Sequence, residues 1–150
     1  MNKRILCLLL MAASALQICA QTQEKEERFK CPLLNARQHI DSAAIKLFGT
    51  EDLKLIISSS TDSLVKAPAD GVVLSVLKLP GGLYELVFQV DDFYFWFSGL
   101  QQTDLKGQQN VQAGQALGKL KTGNKLELLL FDEQQPVHPV EYLPCFPQKD

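Results

Sequence analysis

The chain has 150 residues, of which 46% are hydrophobic and 21% charged; these values indicate one globular domain and exclude a disordered, collagen-like or coiled-coil protein. The formal net charge is −2, so no basic excess points to nucleic acid as a partner. With two histidines, and four cysteines that form no C-x-x-C pair, the chain has little from which to build a histidine-rich zinc site or a thioredoxin motif.

The first twenty residues have the pattern of a secretory signal peptide. Lys3 and Arg4 precede about sixteen mostly apolar residues, a run shorter than the roughly 20 residues of a membrane span, and Ala20 stands before the expected cut. We therefore expect a periplasmic or secreted protein with no stable membrane span, whose mature chain carries 13 basic and 17 acidic residues. A lipoprotein anchored through Cys19 is the less favoured alternative, because Ile18 stands where a small residue is preferred; a retained anchor is the other.

Removal of residues 1–20 leaves two cysteines, Cys31 and Cys145, near the two ends of the mature chain. In an oxidising compartment an even pair tends to form a disulfide. This disulfide would close a loop of about 115 residues, to which the chain-entropy model assigns roughly 4–5 kcal/mol. The alternative, a reactive thiol, needs a nearby base, and neither of these proline-flanked cysteines shows one.

The predicted elements begin with a charged leader and extension, residues 21–45. The segment 33–48 fits either a helix that ends at Gly49 or, over 43–48, a strand, and both alternatives stay open. From Leu53 onward the pattern is β, with a hairpin turn at Asp91-Asp92, a polar connection at 101–112 and a glycine-containing corner at 113–118. The predicted strands are 53–57, 64–67, 72–79, 84–90, 93–97 and 126–131.

Short strands separated by turns over about 100 residues predict an all-β fold. We expect a compact antiparallel β sandwich or barrel-sandwich hybrid with a short N-terminal extension. Its bounds are predicted at residues 46–145, followed by a tail at 146–150.

Three segments, in this order and spacing, resemble the motifs of one family. They are V-K-A-P-A-D-G-V-V at 65–73, K-G-Q-Q-N-V-Q-A-G-Q-A-L-G at 106–118 and Q-P-V-H-P-V-E-Y-L at 135–143. The family is the lysostaphin-type, or LytM-like, zinc endopeptidases. The resemblance covers about residues 46–143, and it implies the duplicated hybrid motif, a compact antiparallel β sandwich, and a relation to enzymes that cut peptide crosslinks in bacterial cell walls.

The first two segments also occur in biotinyl, lipoyl and sugar-phosphotransferase domains, because both form tight β corners. The third segment and the aromatic strand before Leu100 favour the peptidase branch. A biotinyl or lipoyl carrier needs a lysine at a hairpin tip, and the turn at 60–63 has none.

The resemblance also implies where an active site would lie. An active member holds zinc with a His, an Asp four residues later and the second His of an H-x-H, and two further histidines orient and polarise the attacking water. The five expected positions fall on Asp52, Ile56, Gly99, Lys125 and Glu127, with the register around the first open by one or two residues. Ile56 has no ligand atom and Lys125 is a cation. We therefore expect a pseudoenzyme, with no metal, no other cofactor and no catalytic residue.

Other chemistry-bearing residues are better explained by structure. His39 and His138 are expected at the surface or in a turn, and the adjacent Asp91 and Asp92 point to opposite faces of a strand, so a hairpin turn explains them better than a paired-carboxylate site. The serines at 58–60 have no G-x-S-x-G context, so no serine nucleophile is predicted.

One feature favours binding: residues 93–97 are five consecutive aromatics. Alternation sends Phe93, Phe95 and Phe97 to one face and Tyr94 and Trp96 to the other. The favoured interpretation is a central strand buried on both faces; an exposed aromatic binding surface at Tyr94 and Trp96 is the alternative.

These observations predict a non-catalytic LytM-like domain of the cell envelope. Its expected partner is a peptide of peptidoglycan or a cell-wall hydrolase, in a scaffold or activator role. The alternative is a zinc-dependent peptidoglycan endopeptidase with a rearranged site.

Overall fold

The computed structural model of the chain describes residues 28–39 and 53–146, in which ten β-strands and one short 3-10 helix, Pro139–Glu141, form the regular structure. The predicted signal peptide with Cys19, the leader up to residue 27, residues 40–52 with Asp52, and the end of the tail from 147 lie outside these ranges. The strands are β1 (Arg37–His39), β2 (Leu55–Ser58), β3 (Leu64–Lys66), β4 (Gly71–Lys78), β5 (Tyr84–Val90), β6 (Phe93–Leu100), β7 (Gln109–Val111), β8 (Ala116–Lys119), β9 (Leu126–Asp132) and β10 (Gln135–Val137).

The strands form two sheets, and each pairing between them is antiparallel. The main sheet has the order β1-β2-β9-β6-β5-β4-β7, and β10 pairs with the second half of β9. Strands β3 and β8 make a separate two-stranded sheet. The main sheet is open, with β1 and β7 at its edges, so the described strands make the predicted antiparallel sandwich without a closed barrel.

One hydrophobic core lies between the two sheets. Successive side chains of a strand point to opposite faces, so Phe93, Phe95 and Phe97 of β6 all turn inward, with at most 5% of their surface exposed. The small sheet contributes Val65 and Leu117 to the same core. The neighbouring strands follow the same alternation with Leu55 and Ile57 of β2, Leu86, Phe88 and Val90 of β5, and Leu126, Leu128 and Leu130 of β9.

The first two motif segments hold each other in place. The Ala67 N–H donates to the Gln115 carbonyl and the Gly114 N–H donates to the Ala67 carbonyl, both at 2.9 Å. The Asp70 carboxylate accepts a 2.7 Å hydrogen bond from the Ala113 N–H. A Cβ atom on Gly71 would come within 2.2 Å of the Gln89 carbonyl oxygen, so only glycine fits there. These residues make a β corner in which the first two motif segments are joined by backbone hydrogen bonds.

Residues 28–34, here called the strap, cross the core on the inner face of the main sheet. Phe29 is 1% exposed and packs edge-to-face on Phe93 and Phe95, with ring centroids 5.2 and 5.0 Å away. The predicted disulfide between Cys31 and Cys145 is present and links residues 114 positions apart. The strap is therefore part of the same core as the strands, not a detached leader.

Some connecting segments differ from the sequence-based expectation. The predicted polar connection 101–112 contains β7, and the predicted corner 113–118 contains the start of β8. The ambiguous segment 33–48 forms strand β1 over Arg37–His39, and its part from residue 40 lies outside the described ranges. These short strands exist because β4, β3 and β2 pair with them, a long-range effect that the local pattern does not display.

Candidate functional site

The outer face of the main sheet carries the residues singled out by the sequence. The alternation that buries the phenylalanines of β6 turns Trp96 and Ser98 outward. Trp96 lies opposite Leu129, and Ser98 lies opposite both Glu85 and Glu127. Two rows of side chains therefore cross three neighbouring strands, one mainly apolar and one polar.

Four of the five expected metal-site positions lie in the described ranges, and the structure brings them together in two pairs. Ile56 is the direct partner of Glu127 in the β2–β9 ladder. A Cβ built on Gly99 would lie 2.7 Å from the Lys125 carbonyl oxygen, so these two backbones adjoin. Asp52, the remaining position, lies outside the described residues, and the register of the first ligand pair stays open with it.

Gly99 has a backbone that accepts almost no other residue. The register of β5 and β6 shifts here, where Ser98 faces Glu85 and Leu100 faces Tyr84, so Gly99 is the extra residue of a bulge. Its φ of +99° lies in the region that side chains disfavour, and the 2.7 Å approach to the Lys125 carbonyl leaves no room for a Cβ. A histidine side chain at position 99 would therefore clash with the backbone of Lys125.

Lys54, which the motif spacing does not indicate, forms an ion pair with Glu127, one of the expected metal-site residues. Its Nζ atom lies 2.9 Å from the Glu127 carboxylate, and the two side chains are 34% and 44% exposed. Alternation along β2 places Lys54 on the same face as Ile56, since Leu55 and Ile57 face the core. That alternation was the one available signal for Lys54, but its partner is 73 residues away in sequence.

The four expected positions that the structure describes do not supply the ligands of a catalytic zinc ion. Zinc needs three protein ligands of nitrogen, oxygen or sulfur around an open position. Ile56 is apolar, Lys125 is a cation, and the carboxylate of Glu127 is already bound by Lys54. Within the described ranges, no group of three or more His, Cys, Asp or Glu side chains converges on one point.

One of the two histidines adjoins an expected metal-site position: His39 is the direct partner of Ile56 in the β1–β2 ladder. His39 of β1 has its Nε2 atom 2.7 Å from the Ser58 hydroxyl, a contact that joins two neighbouring strands. His138 precedes the 3-10 helix, where it is followed by Pro139. Asp91 stands at the β5–β6 turn with a φ of 50°, and Arg28 of the strap pairs with it at 2.8 Å, so this aspartate has a structural role.

A groove of about 200 Å³ opens on the outer face. The Ser98 hydroxyl donates a 2.9 Å hydrogen bond to the Glu85 carboxylate on one side, and the Lys54–Glu127 pair lies on the other. Trp96 is 41% exposed in this groove. The lining residues are Lys54, Glu85, Trp96, Ser98, Glu127 and Leu129.

The groove corrects the favoured interpretation that β6 is buried on both faces. The strap, through Phe29, and the small sheet cover the inner face of β6, whereas Trp96 on the outer face is 41% exposed. Tyr94 is half-buried and does not line the groove, so of the two aromatics proposed as a binding surface only Trp96 reaches it.

Comparisons with known proteins support the fold. No protein-family model and no curated protein matches the chain. Among solved structures, Csd3 of Helicobacter pylori superimposes with a TM-score of 0.60 at 18% identity over 77% of this chain and 33% of its own. A putative peptidase M23 from Pseudomonas aeruginosa gives 0.61 at 19% over 79% and 51%. The antimicrobial peptidase lysostaphin from Staphylococcus simulans gives 0.56 at 18% over 72% and 50%.

These similarities confirm the predicted resemblance at the level of the fold. The chain has the β-rich fold of lysostaphin and peptidase M23 structures. It spans about a third of the length of Csd3 and about half of the other two. Within the described ranges, the protein has no helix with the length and apolar character of a membrane span.

Proposed function

We propose that this chain is a non-catalytic LytM-like domain of the cell envelope. It binds a peptide of peptidoglycan, or a segment of a cell-wall hydrolase, in the groove around Trp96 and acts as a scaffold or activator. The observation that carries this proposal is the combination of an exposed tryptophan with site residues that, over the described ranges, offer no ligand cage for zinc.

The chemistry of the groove supports binding without cleavage. A metallopeptidase needs a Lewis acid to polarise the scissile carbonyl and a base near the attacking water. Here the Lys54 ammonium neutralises the carboxylate of Glu127, and Gly99 offers no side chain where the family places a histidine. A concave surface with one exposed aromatic and a few polar groups remains, which is the usual composition of a ligand site.

The proposed location, in the periplasm or outside the cell, rests on two observations. The Cys31–Cys145 disulfide is compatible with an oxidising compartment outside the cytoplasm. The pattern of residues 1–20 is that of a secretory signal peptide, with the cut proposed near Ala20.

A binding assay tests the proposed function. We expect purified mature protein to sediment with purified peptidoglycan, or to be retained by an envelope hydrolase such as a wall amidase. Trp96→Ala should lower retention at least about threefold, because an exposed aromatic in a binding site contributes on the order of 1 kcal/mol. Leu34→Ala is the matched control, since Leu34 is 54% exposed on the strap and outside the groove. No retention of the native protein on either partner would rule out the proposal.

The alternative function, a zinc endopeptidase with a rearranged site, is tested by metal analysis. We expect well below one equivalent of zinc per purified chain after growth with zinc, because Ile56, Gly99 and Lys125 provide no ligands. One equivalent of zinc together with crosslink cleavage that a chelator abolishes would establish the enzyme instead.

A further inference from the structure

We infer that the groove selects a cationic peptide side chain, an alkylammonium group such as that of a lysine. This inference rests on the proposed function, because it names the chemistry of the ligand in the same groove. It is carried by one carboxylate without a cationic partner among the described residues, one exposed indole and one apolar wall, which lie together on the outer face of the main sheet.

The charges of the groove leave one carboxylate available. Three ionisable side chains line it: Lys54, Glu85 and Glu127. Lys54 and Glu127 form an ion pair with each other at 2.9 Å. Glu85 accepts a hydrogen bond from the Ser98 hydroxyl and, among the described residues, has no cation within salt-bridge distance. The groove as a whole therefore carries one net negative charge, at Glu85.

The indole of Trp96 is close to that carboxylate. Glu85 is directly opposite Ser98, and Trp96 is two residues before Ser98 on the same face. Such diagonal neighbours have Cα atoms about 7–8 Å apart, which side chains of this length can bridge. An ammonium group between them contacts the carboxylate on one side and the ring on the other, the geometry of a cation–π contact.

The wall on the other side of Trp96 suits an alkyl stem. Leu129 is the cross-strand partner of Trp96 and lines the groove beside it. Methylene groups of a lysine-type side chain pack on Leu129 and the indole while the ammonium reaches Glu85. An anionic ligand is disfavoured, because Lys54 already has its counter-charge and approach would also bring the ligand near Glu85.

The test uses three capped tripeptides with the same flanking alanines and a central lysine, norleucine or N-acetyl-lysine. The sequence contains one tryptophan, so intrinsic fluorescence reports directly on the groove. We expect the lysine peptide to bind about threefold to tenfold more tightly than either uncharged peptide at low salt, since only the lysine forms the partly exposed cation–π contact and ion pair. The preference should shrink as salt is added.

Two matched variants locate the effect. Glu85→Gln keeps an oxygen for the Ser98 hydroxyl but removes the charge, and it should abolish the preference for lysine over norleucine. Glu133→Gln, an exposed carboxylate in the turn between β9 and β10, removes the same charge outside the groove and should leave the preference unchanged.

The outcomes separate this inference from the proposed function. Equal binding of lysine and norleucine peptides would overturn the inference and leave a peptide-binding groove. A lysine preference that survives Glu85→Gln would also overturn it. Retention on peptidoglycan without any response of Trp96 to the peptides would overturn the inference and the groove as the binding site, while leaving a domain that binds the cell envelope. No binding in any assay would overturn the inference and the proposed function together.

Discussion

At the scale of single residues, the backbone of Gly99 restricts which side chains can occupy this expected metal-site position. Its φ of +99° and the 2.7 Å gap between a Cβ and the Lys125 carbonyl oxygen are independent obstacles to any side chain. A histidine there would require the bulge of β6 to be rebuilt. The ion pair between Lys54 and Glu127 is a further, electrostatic obstacle to metal binding, because the Lys54 ammonium occupies the Glu127 carboxylate.

Replacing Gly99 with alanine should therefore destabilise the protein. We expect the free energy of unfolding to fall by about 2–4 kcal/mol, from the positive φ together with the overpacking against a carbonyl. The measurement is urea unfolding of the native and variant proteins, followed by fluorescence.

The control for this substitution is Gly81→Ala. Gly81 also has a φ of +99°, but a Cβ there has nothing within 4 Å. Its loss should be limited to about 1–2 kcal/mol, the cost of the left-handed conformation. Equal losses in the two variants would mean that the sheet relaxes around a side chain at position 99, which would contradict the steric argument.

At the scale of strands, the sequence predicts the elements whose own residues alternate strongly. Strand β5 has the predicted bounds, Tyr84–Val90, because a run of β-branched and aromatic residues ends at the Asp91-Asp92 turn. The residue pattern predicts an end of strand β6 at Phe97, but the strand continues to Leu100. The bulge at Gly99 lets the strand continue past a residue that normally marks an end.

The elements that sequence could not predict depend on partners far along the chain. Gln109 and Asn110 of β7 are exposed and polar, and the strand forms because β4 offers hydrogen bonds to it. Strand β10 begins with Gln135 and Pro136 and pairs with the end of β9. In each case the backbone pairing supplies the stability that the side-chain pattern does not reveal.

In the candidate site, too, the sequence predicts some features and misses those that depend on distant residues. Counting along the motif spacing located Ile56 and Glu127, which the structure makes direct neighbours. The ion pair of Glu127 with Lys54 and the exposure of Trp96 were not predictable, because the first depends on a residue 73 positions away and the second on which face of β6 the rest of the chain covers. A motif gives positions on a scaffold, but the electrostatics and exposure at those positions come from tertiary contacts.

At the scale of the whole molecule, the inner face of the main sheet forms the core, and the outer face carries the proposed binding groove. The inner face holds the core, the strap and the disulfide, with Phe29 packed on Phe93 and Phe95. The outer face holds the groove with Trp96. Stability and binding should therefore respond to different substitutions.

Removing the disulfide tests this separation. The double variant Cys31→Ala/Cys145→Ala should lose about 2–4 kcal/mol of unfolding free energy, because the cross-link between residues 114 positions apart no longer restricts the unfolded chain. Guanidinium unfolding with far-UV circular dichroism measures the loss, and the native protein under reducing conditions should approach the same midpoint. Leu34→Ala, which keeps the disulfide and changes an exposed strap residue, should change stability by less than about 0.5 kcal/mol.

The same double variant should keep its groove. The residues that line the groove include neither a strap residue nor Cys145. The affinity for the capped lysine peptide should therefore stay within about twofold of the native value in buffer where the variant remains folded. Binding and circular dichroism are measured on the same sample, so that unfolded protein is not mistaken for weak binding. If the variant retains its circular dichroism spectrum but loses the lysine preference, the two faces are coupled through β6, whose residues alternate between the core and the groove.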